Sequence, residues 1–369
     1  MNRRDRVLMA LNFEEPDMVP ISEFDIEIPH IEKLTGERFE GAYSLQSQVS
    51  ADRKSESRLV ELKTKCYRKL GFDILFSDLS APDEWKPTER PDGSIVDEWG
   101  RVLIKDSITK AWLPSRSIFE TPEDFEEFLS NPPDPYIPGR TFAVEYTKKL
   151  GGDDMALGVF IRDPFAHVWE ILTPTTFVRW MYERPELLKR GLDTLTEFNI
   201  GILKRLGEIG VDLVVSGGDY CEMKGPMVPV KFFKEAIFPG LRRQVEAAHK
   251  QGLTFLKHTD GNVTPLLEYL ADIVDGVHSL DPSAGVDIGA VKARYGDRLV
   301  LMGNVSVDNL ALKDKKDIIQ ETKECIRSAS PGGGHILSSS NSWYTGAKLE
   351  NCLVMVETGR KFGKYPIRI

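Results

Sequence analysis

The sequence predicts an α/β fold, a closed (β/α)8 TIM barrel formed by residues 1–369 as one domain. Three observations predict it. About eight short apolar runs recur along the chain, amphipathic stretches of helical period separate them, and polar residues gather just after the runs end.

The runs are 19–24 (VPISEF), 73–76 (DILF), 155–161 (MALGVFI), 211–216 (VDLVVS), 253–257 (LTFLK), 276–280 (GVHSL), 299–303 (LVLMG) and 335–339 (HILSS). Continuous apolar strands are buried on both faces, which is the habit of parallel sheet. Helical stretches lie between them. Residues 185–206 open on Pro185, suited to a first helical position. Residues 229–251 are broken at Pro239-Gly240, and 264–271 and 313–329 are further helices. An open doubly wound sheet is the alternative, but neither GxGxxG nor GxxxxGK[ST] is present to support it. Residues 1–17 form an N-terminal helical extension without a signal-peptide core. After the second strand, residues 82–138 form an insertion over the barrel mouth. It is rich in Pro, Asp and Glu and contains a β-hairpin around Gly100 in SIVDEWGRVLIKD. Pro331-Gly332-Gly333-Gly334 makes a tight loop into the last strand.

The chain carries a net charge of −9, so it has no electrostatic reason to bind nucleic acid or an anionic membrane. No apolar stretch approaches the roughly 20 residues that span a bilayer. Its four cysteines, Cys66, Cys221, Cys325 and Cys352, show no CxxC pairing, which fits a reducing cytoplasm. A homodimer is left open.

In a barrel of this kind the functional groups stand just past the strand C-termini. There the sequence places Glu23 and Asp25, Asp78, Arg162-Asp163, Asp219-Tyr220-Cys221-Glu222, His258-Thr259-Asp260, Asp281, Asn304 and Asn341. So many acids around one mouth repel unless they share a cation or a proton. His258 and Asp260, two apart, point the same way and offer an N/O ligand set suited to Zn2+, with Glu222 one strand away. The competing reading is a buried polar cluster in which His258 bonds Asp260 or Asp219. Asp78, Asp219 and Asp260 are the candidate catalytic acids. Trp99, Asn341, Trp343 and Tyr344 are candidates for substrate contact, although aromatic residues also serve as plain packing. His278 lies mid-strand and reads as a lining or core residue. Cys221 as a nucleophile lacks a base at a fixed spacing.

The chain resembles the uroporphyrinogen decarboxylase superfamily, which also holds cobalamin-dependent methyltransferases. The resemblance runs nearly end to end. It rests on NRRDRVLMALNFEEPDMVP, GFDILFSD, DEWGR, GGDYCEMKGPMVPVKFFKEAIFP, LKHTDGNVTPLLEYL, GNVS and GGGHILSSSNSW followed by NCLVMVETGRKFGKYP. It implies the barrel already reached. Decarboxylases of the family carry an Arg-rich segment after the first strand, where this chain has the acidic SEFDIEIPH, and a His where it has Asn341. Asp78 matches their strand-two acid. Members that methylate coenzyme M bind zinc through His-x-Cys and a distant Cys, where this chain has His258-x-Asp260 and Asn341.

The remaining resemblance is to the first methyltransferase of O-demethylase systems. It implies a zinc site of two glutamates and a histidine, here Glu222, Glu235 and His258. It also implies transfer of a methyl group from a small aromatic methyl ether to the cobalamin of a partner corrinoid protein. Two alternatives stay open. One is methyl transfer from a methylcorrinoid to a thiol or a tetrahydrofolate-type acceptor. The other is a decarboxylase-like lyase or a barrel that binds without catalysis.

Overall fold

The computed structural model describes residues 1–41, 52–107 and 111–369; residues 108–110 of the expected insertion lie outside it. Strand β1 (Ile74–Asp78) is followed by β2 (Thr88–Glu89), β3 (Ile95–Val96), β4 (Arg101–Lys105) and β5 (Trp112–Ser117). Next come β6 (Ala156–Arg162), β7 (Leu213–Gly217), the ribbon β8 (Cys221–Glu222) and β9 (Gly225–Pro226), then β10 (Thr254–Thr259), β11 (Gly276–Ser279), β12 (Val300–Val305) and β13 (His335–Ser339). β1, β6, β7, β10, β11, β12 and β13 form one parallel sheet in that order, with helices between successive members. This is the TIM-barrel architecture expected from the alternating pattern.

One element differs. The expected first strand, 19–24, makes only single bridges, Ile21 to Leu337 and, beyond it, Ile26 to Trp343. It still closes the barrel. Leu337 N donates to Pro20 O at 2.8 Å, Ser22 N to Leu337 O at 3.1 Å, and Asp73 N to Ile21 O at 2.9 Å. Pro20 has no N–H to give, so a continuous ladder cannot form there.

Register is pinned by a device repeated at the N-terminal ends of three strands. Asp73, Asp212 and Asp275 each immediately precede a strand. Their carboxylates accept the backbone N–H of Ile21 at 2.8 Å, Leu157 at 2.9 Å and Phe255 at 2.7 Å, all on the preceding chain segment. Their own carbonyls accept from Ala156, Thr254 and Val300 on the following strand. Each aspartate thus ties three neighbours together where backbone groups would otherwise be buried without partners. The helix Arg3–Leu11, capped by Asn2, covers this end, with Arg4 bonding Asp212 at 2.8 Å and Arg6 pairing with Asp73.

The helix expected over 229–251 breaks one turn earlier than Pro239. A π-helical turn, Phe233–Ile237, precedes the helix Phe238–His249, which has Pro239 in its first turn. The insertion is larger than the expected hairpin. β2 to β5 form a four-stranded antiparallel sheet, turning at Gly100, whose φ of 76° suits glycine.

Buried charge holds this sheet to the barrel. Asp97 accepts from the backbone of Trp99 and Arg101 and from Arg101 Nε at 2.7 Å. Arg101 reaches on to Glu170, 2.6 Å away on the helix Pro164–Leu172. Glu98 takes both Nη groups of Arg140 at 2.8 and 2.7 Å. The Trp99 ring packs at a tilt against His167, their centroids 4.2 Å apart. Since Arg101 is fully buried, its removal would leave Asp97 a buried charge without its cation and Glu170 with Arg162 as its remaining partner. Arg101→Ala is expected to lower the unfolding free energy by about 3–5 kcal/mol in urea titrations.

Candidate functional site

The register of three strands builds the site. His258, near the end of β10, stands opposite Gly217 on β7 and opposite His278 on β11. Gly217 leaves room for the Phe160 ring, which a β-carbon there would meet at 1.9 Å. Phe24 stacks on Phe160 at 5.6 Å and packs against both imidazoles, tilted against His258 at 5.0 Å and edge-on to His278 at 5.1 Å. In this apolar enclosure both histidines are driven toward the neutral form. Burial, with the Lys257 and Arg162 charges adding to it, pulls His258 down to about 3, and burial takes His278 well below its usual value. The two Nδ1 atoms lie 2.8 Å apart.

His258 Nε2 faces the other way, 3.9 Å from Asp219 Oδ1 and 3.9 Å from Asp260 Oδ1. Ligand atoms of these three residues lie within 4.8 Å of one another. Asp219 Oδ1 accepts the Asp260 backbone N–H at 2.9 Å, and Asn341 Nδ2 donates to Asp260 Oδ2. Asp260 Oδ1 is buried and makes no hydrogen bond of good geometry, with the Ser279 hydroxyl a weak donor to this carboxyl. Burial first, then the neighbouring Asp219 charge, raises Asp260 well above the usual carboxylate range. A weakly partnered carboxylate oxygen and an imidazole nitrogen aimed at a second acid make a set that a divalent cation would satisfy. Ligand atoms shared by one zinc ion lie about 3.4 Å apart, about half an ångström closer than either imidazole–carboxylate separation here.

Other expected residues stand elsewhere. Glu222, exposed on β8, and Glu235, exposed beside Lys231 in the π-helical turn, are outside this group of ligand atoms. The turn between β7 and β8 brings Asp219 inward in place of Glu222. Asp78 pairs with Lys63 at 3.0 Å, and Lys63 also pairs with Asp25 at 3.0 Å. Trp99 and Trp343 are buried, at 3% and 0% exposure, and Trp343 packs edge-on against Phe72. Asn341 holds Asp260, and the Tyr344 carbonyl accepts from His30 at 2.9 Å. Cys221 is buried and its thiol is pushed up to about 12, which disfavours a nucleophilic role.

Several residues were not singled out in the sequence. Lys257, fully buried, donates to Gly218 O at 2.7 Å, lies 3.2 Å from Asp163 and sits over the Tyr220 ring at 3.9 Å. The signal was a lysine inside an apolar strand. A cavity of about 370 Å³ opens beside the cluster, with Asp219 on its wall. Leu113, Pro114, Phe165, Trp169 and Met227 line it, and Arg162 and Glu170 are paired at its edge.

On the far side of the mouth, Glu23 is fully buried and accepts from Ser339 N at 2.6 Å and Ser339 Oγ at 2.8 Å. Burial outweighs these bonds and raises it to about 8. Between the unfolded value near 4.5 and about 8, the folded chain therefore holds a proton that the unfolded chain has lost. Stability from this group is fully present below pH 4.5 and drains away as pH rises toward 8. Relative to Glu23→Gln, the native protein is expected to lose about 1.4 kcal/mol per pH unit across that window, read by urea unfolding at pH 5, 6, 7 and 8.

Comparison with known proteins bears on this site. The family model described as uroporphyrinogen decarboxylase (URO-D) matches residues 114–362. A methylcobamide:CoM methyltransferase of Methanosarcina barkeri is 26% identical over 60% of this chain and 62% of its own length. A uroporphyrinogen decarboxylase of Coxiella burnetii is 24% identical over 49% of each. The chain thus spans less than two thirds of these curated relatives. Among solved structures, a methyltransferase from Methanosarcina mazei superposes with a TM-score of 0.71 at 19% identity, covering 98% of this chain and 99% of that one. A B12-independent methionine synthase from Shewanella gives 0.51 at 11% identity, covering 93% and 97%. At these identities the structural likeness speaks to fold.

Proposed function

The chain belongs to the uroporphyrinogen decarboxylase family, and we propose that within it the protein is a methyltransferase that works with a corrinoid protein. In this reading the methyl donor is a methoxylated aromatic and the acceptor is the cobalamin of that partner. The observation that carries the reading is the cavity of about 370 Å³, walled by Phe165, Trp169, Pro114 and Met227, with Asp219 of the His258 cluster opening onto it. Such a wall suits one aromatic ring. A decarboxylase substrate with many carboxylates would need free cations, whereas the cavity's Arg162 is held by Glu170.

His258, Asp219 and Asp260 are the residues that would hold Zn2+. When bound, it supplies Lewis-acid polarisation of the ether oxygen, whose departure as a phenoxide is otherwise unfavourable. The protein's own residues do the rest. Phe165 and Trp169 grip the ring and exclude water, and Asn341 fixes the orientation of Asp260. Asp219 is 48% exposed, so the cluster can be reached from outside. A corrinoid partner has to dock on this face of the barrel, because the methyl group must come within bonding reach of its cobalt.

The name of the Methanosarcina barkeri relative favours a second reading, in which the methyl group moves from a methylcorrinoid to a thiol. Two measurements decide. Purified protein is expected to take up stoichiometric zinc, lost in His258→Ala. Absorbance of cob(I)alamin is expected to decay when members of a methoxyarene panel are added. Demethylation of methylcobalamin with thiols alone would replace the first reading with the second. Absence of metal uptake on titration would remove zinc from both.

A further inference from the structure

We infer that His278 is a positioning residue that fixes which nitrogen of His258 faces the acid pair. The inference rests on the metal reading above and deepens it. β10 and β11 place the two imidazoles at directly opposed register positions, with their Nδ1 atoms 2.8 Å apart. At that distance exactly one of the two nitrogens carries the hydrogen, since two N–H groups repel and two lone pairs make no bond.

The two arrangements have opposite consequences. If His278 donated from Nδ1, His258 would accept there, carry its hydrogen on Nε2, and donate toward Asp219 and Asp260. That is a closed polar cluster with no lone pair for a cation. If His258 donates from Nδ1, its Nε2 lone pair faces Asp219 Oδ1 and Asp260 Oδ1, each 3.9 Å away.

The metal reading selects the second arrangement. His278 Nε2 is buried without a hydrogen-bond partner among the described residues, so Nδ1 makes the one hydrogen bond of this ring. A cation at the acid pair needs the lone pair on His258 Nε2, which is free when His258 donates from Nδ1 and His278 accepts, and His278 then carries its hydrogen on Nε2. Phe24 packs against both imidazoles, with centroids 5.0 and 5.1 Å away. A relay therefore runs from His278 to His258, and its outer end is a lone pair aimed between two carboxylates. Such outer partners commonly orient and strengthen a ligating imidazole.

The test combines tautomer and affinity. In metal-free protein, 15N NMR of the imidazoles is expected to show hydrogen on Nδ1 of His258 and on Nε2 of His278. Titration with zinc alone is expected to show a loss of about 10–100-fold in affinity for His278→Leu, with the fold intact by circular dichroism. His278→Asn, whose Oδ1 restores an acceptor near the lost Nδ1, is expected to recover most of that loss. Hydrogen on Nδ1 of His278, unchanged zinc affinity in His278→Leu, or no recovery in His278→Asn would each overturn the assignment. Wild-type protein that takes up no zinc, yet shows the expected tautomers, would overturn the metal reading and leave the relay standing.

Discussion

The parallel register of β7, β10 and β11 is the constraint on which the site depends. In a closed barrel a strand cannot slip by one residue without turning every side chain to the other face. Fixing Gly217, His258 and His278 at one level therefore fixes the environment of all three. A side chain at 217 would displace Phe160, and without Phe160 the Phe24 ring loses its stacking partner next to the imidazoles. The aspartates at the opposite end of the barrel carry the same constraint. Asp73, Asp212 and Asp275 each lock a strand to both neighbours, so the level at which His258 sits is set partly at the far pole.

The mouth is organised by charge removed from water. Arg101, Arg162, Asp97 and Glu170 form a buried chain from the insertion to the end of β6, and Lys257 and Asp163 form another beneath Tyr220. Each cation has an anion at contact distance, which is the condition under which burial of charge is tolerable. Asp260 departs from that pattern. It has a second acid beside it, a neutral imidazole across from it and one oxygen without a hydrogen bond of good geometry. An acid without a cation at an accessible point has stored a preference for a cation or a proton there.

The insertion and the strand-one segment shape access to that point. β4 and β5 set Leu113 and Pro114 against the helix Pro164–Leu172, forming the apolar wall beside Asp219. The DEWGR residues have their polar groups consumed in holding this sheet down, and Trp99 among them packs against His167 and Phe198. A motif rich in functional side chains therefore serves attachment here.

The sequence alone determined the barrel, because alternation of apolar runs with helical stretches is a local property that permits few architectures. It also determined that His258 and Asp260 share a direction, since residues two apart on an extended segment must. It could not determine which acid from the neighbouring strand joins them. Asp219 and Glu222 are three positions apart on a turn whose path depends on β8 and β9 pairing and on the 154° φ of Gly218. Nor could it show that His278, twenty residues away in sequence, lies within a hydrogen bond of His258, or that Trp343 turns inward while Asn341 reaches Asp260. Those are contacts between segments distant in the chain, and only the closing of the barrel decides which distant side chains meet.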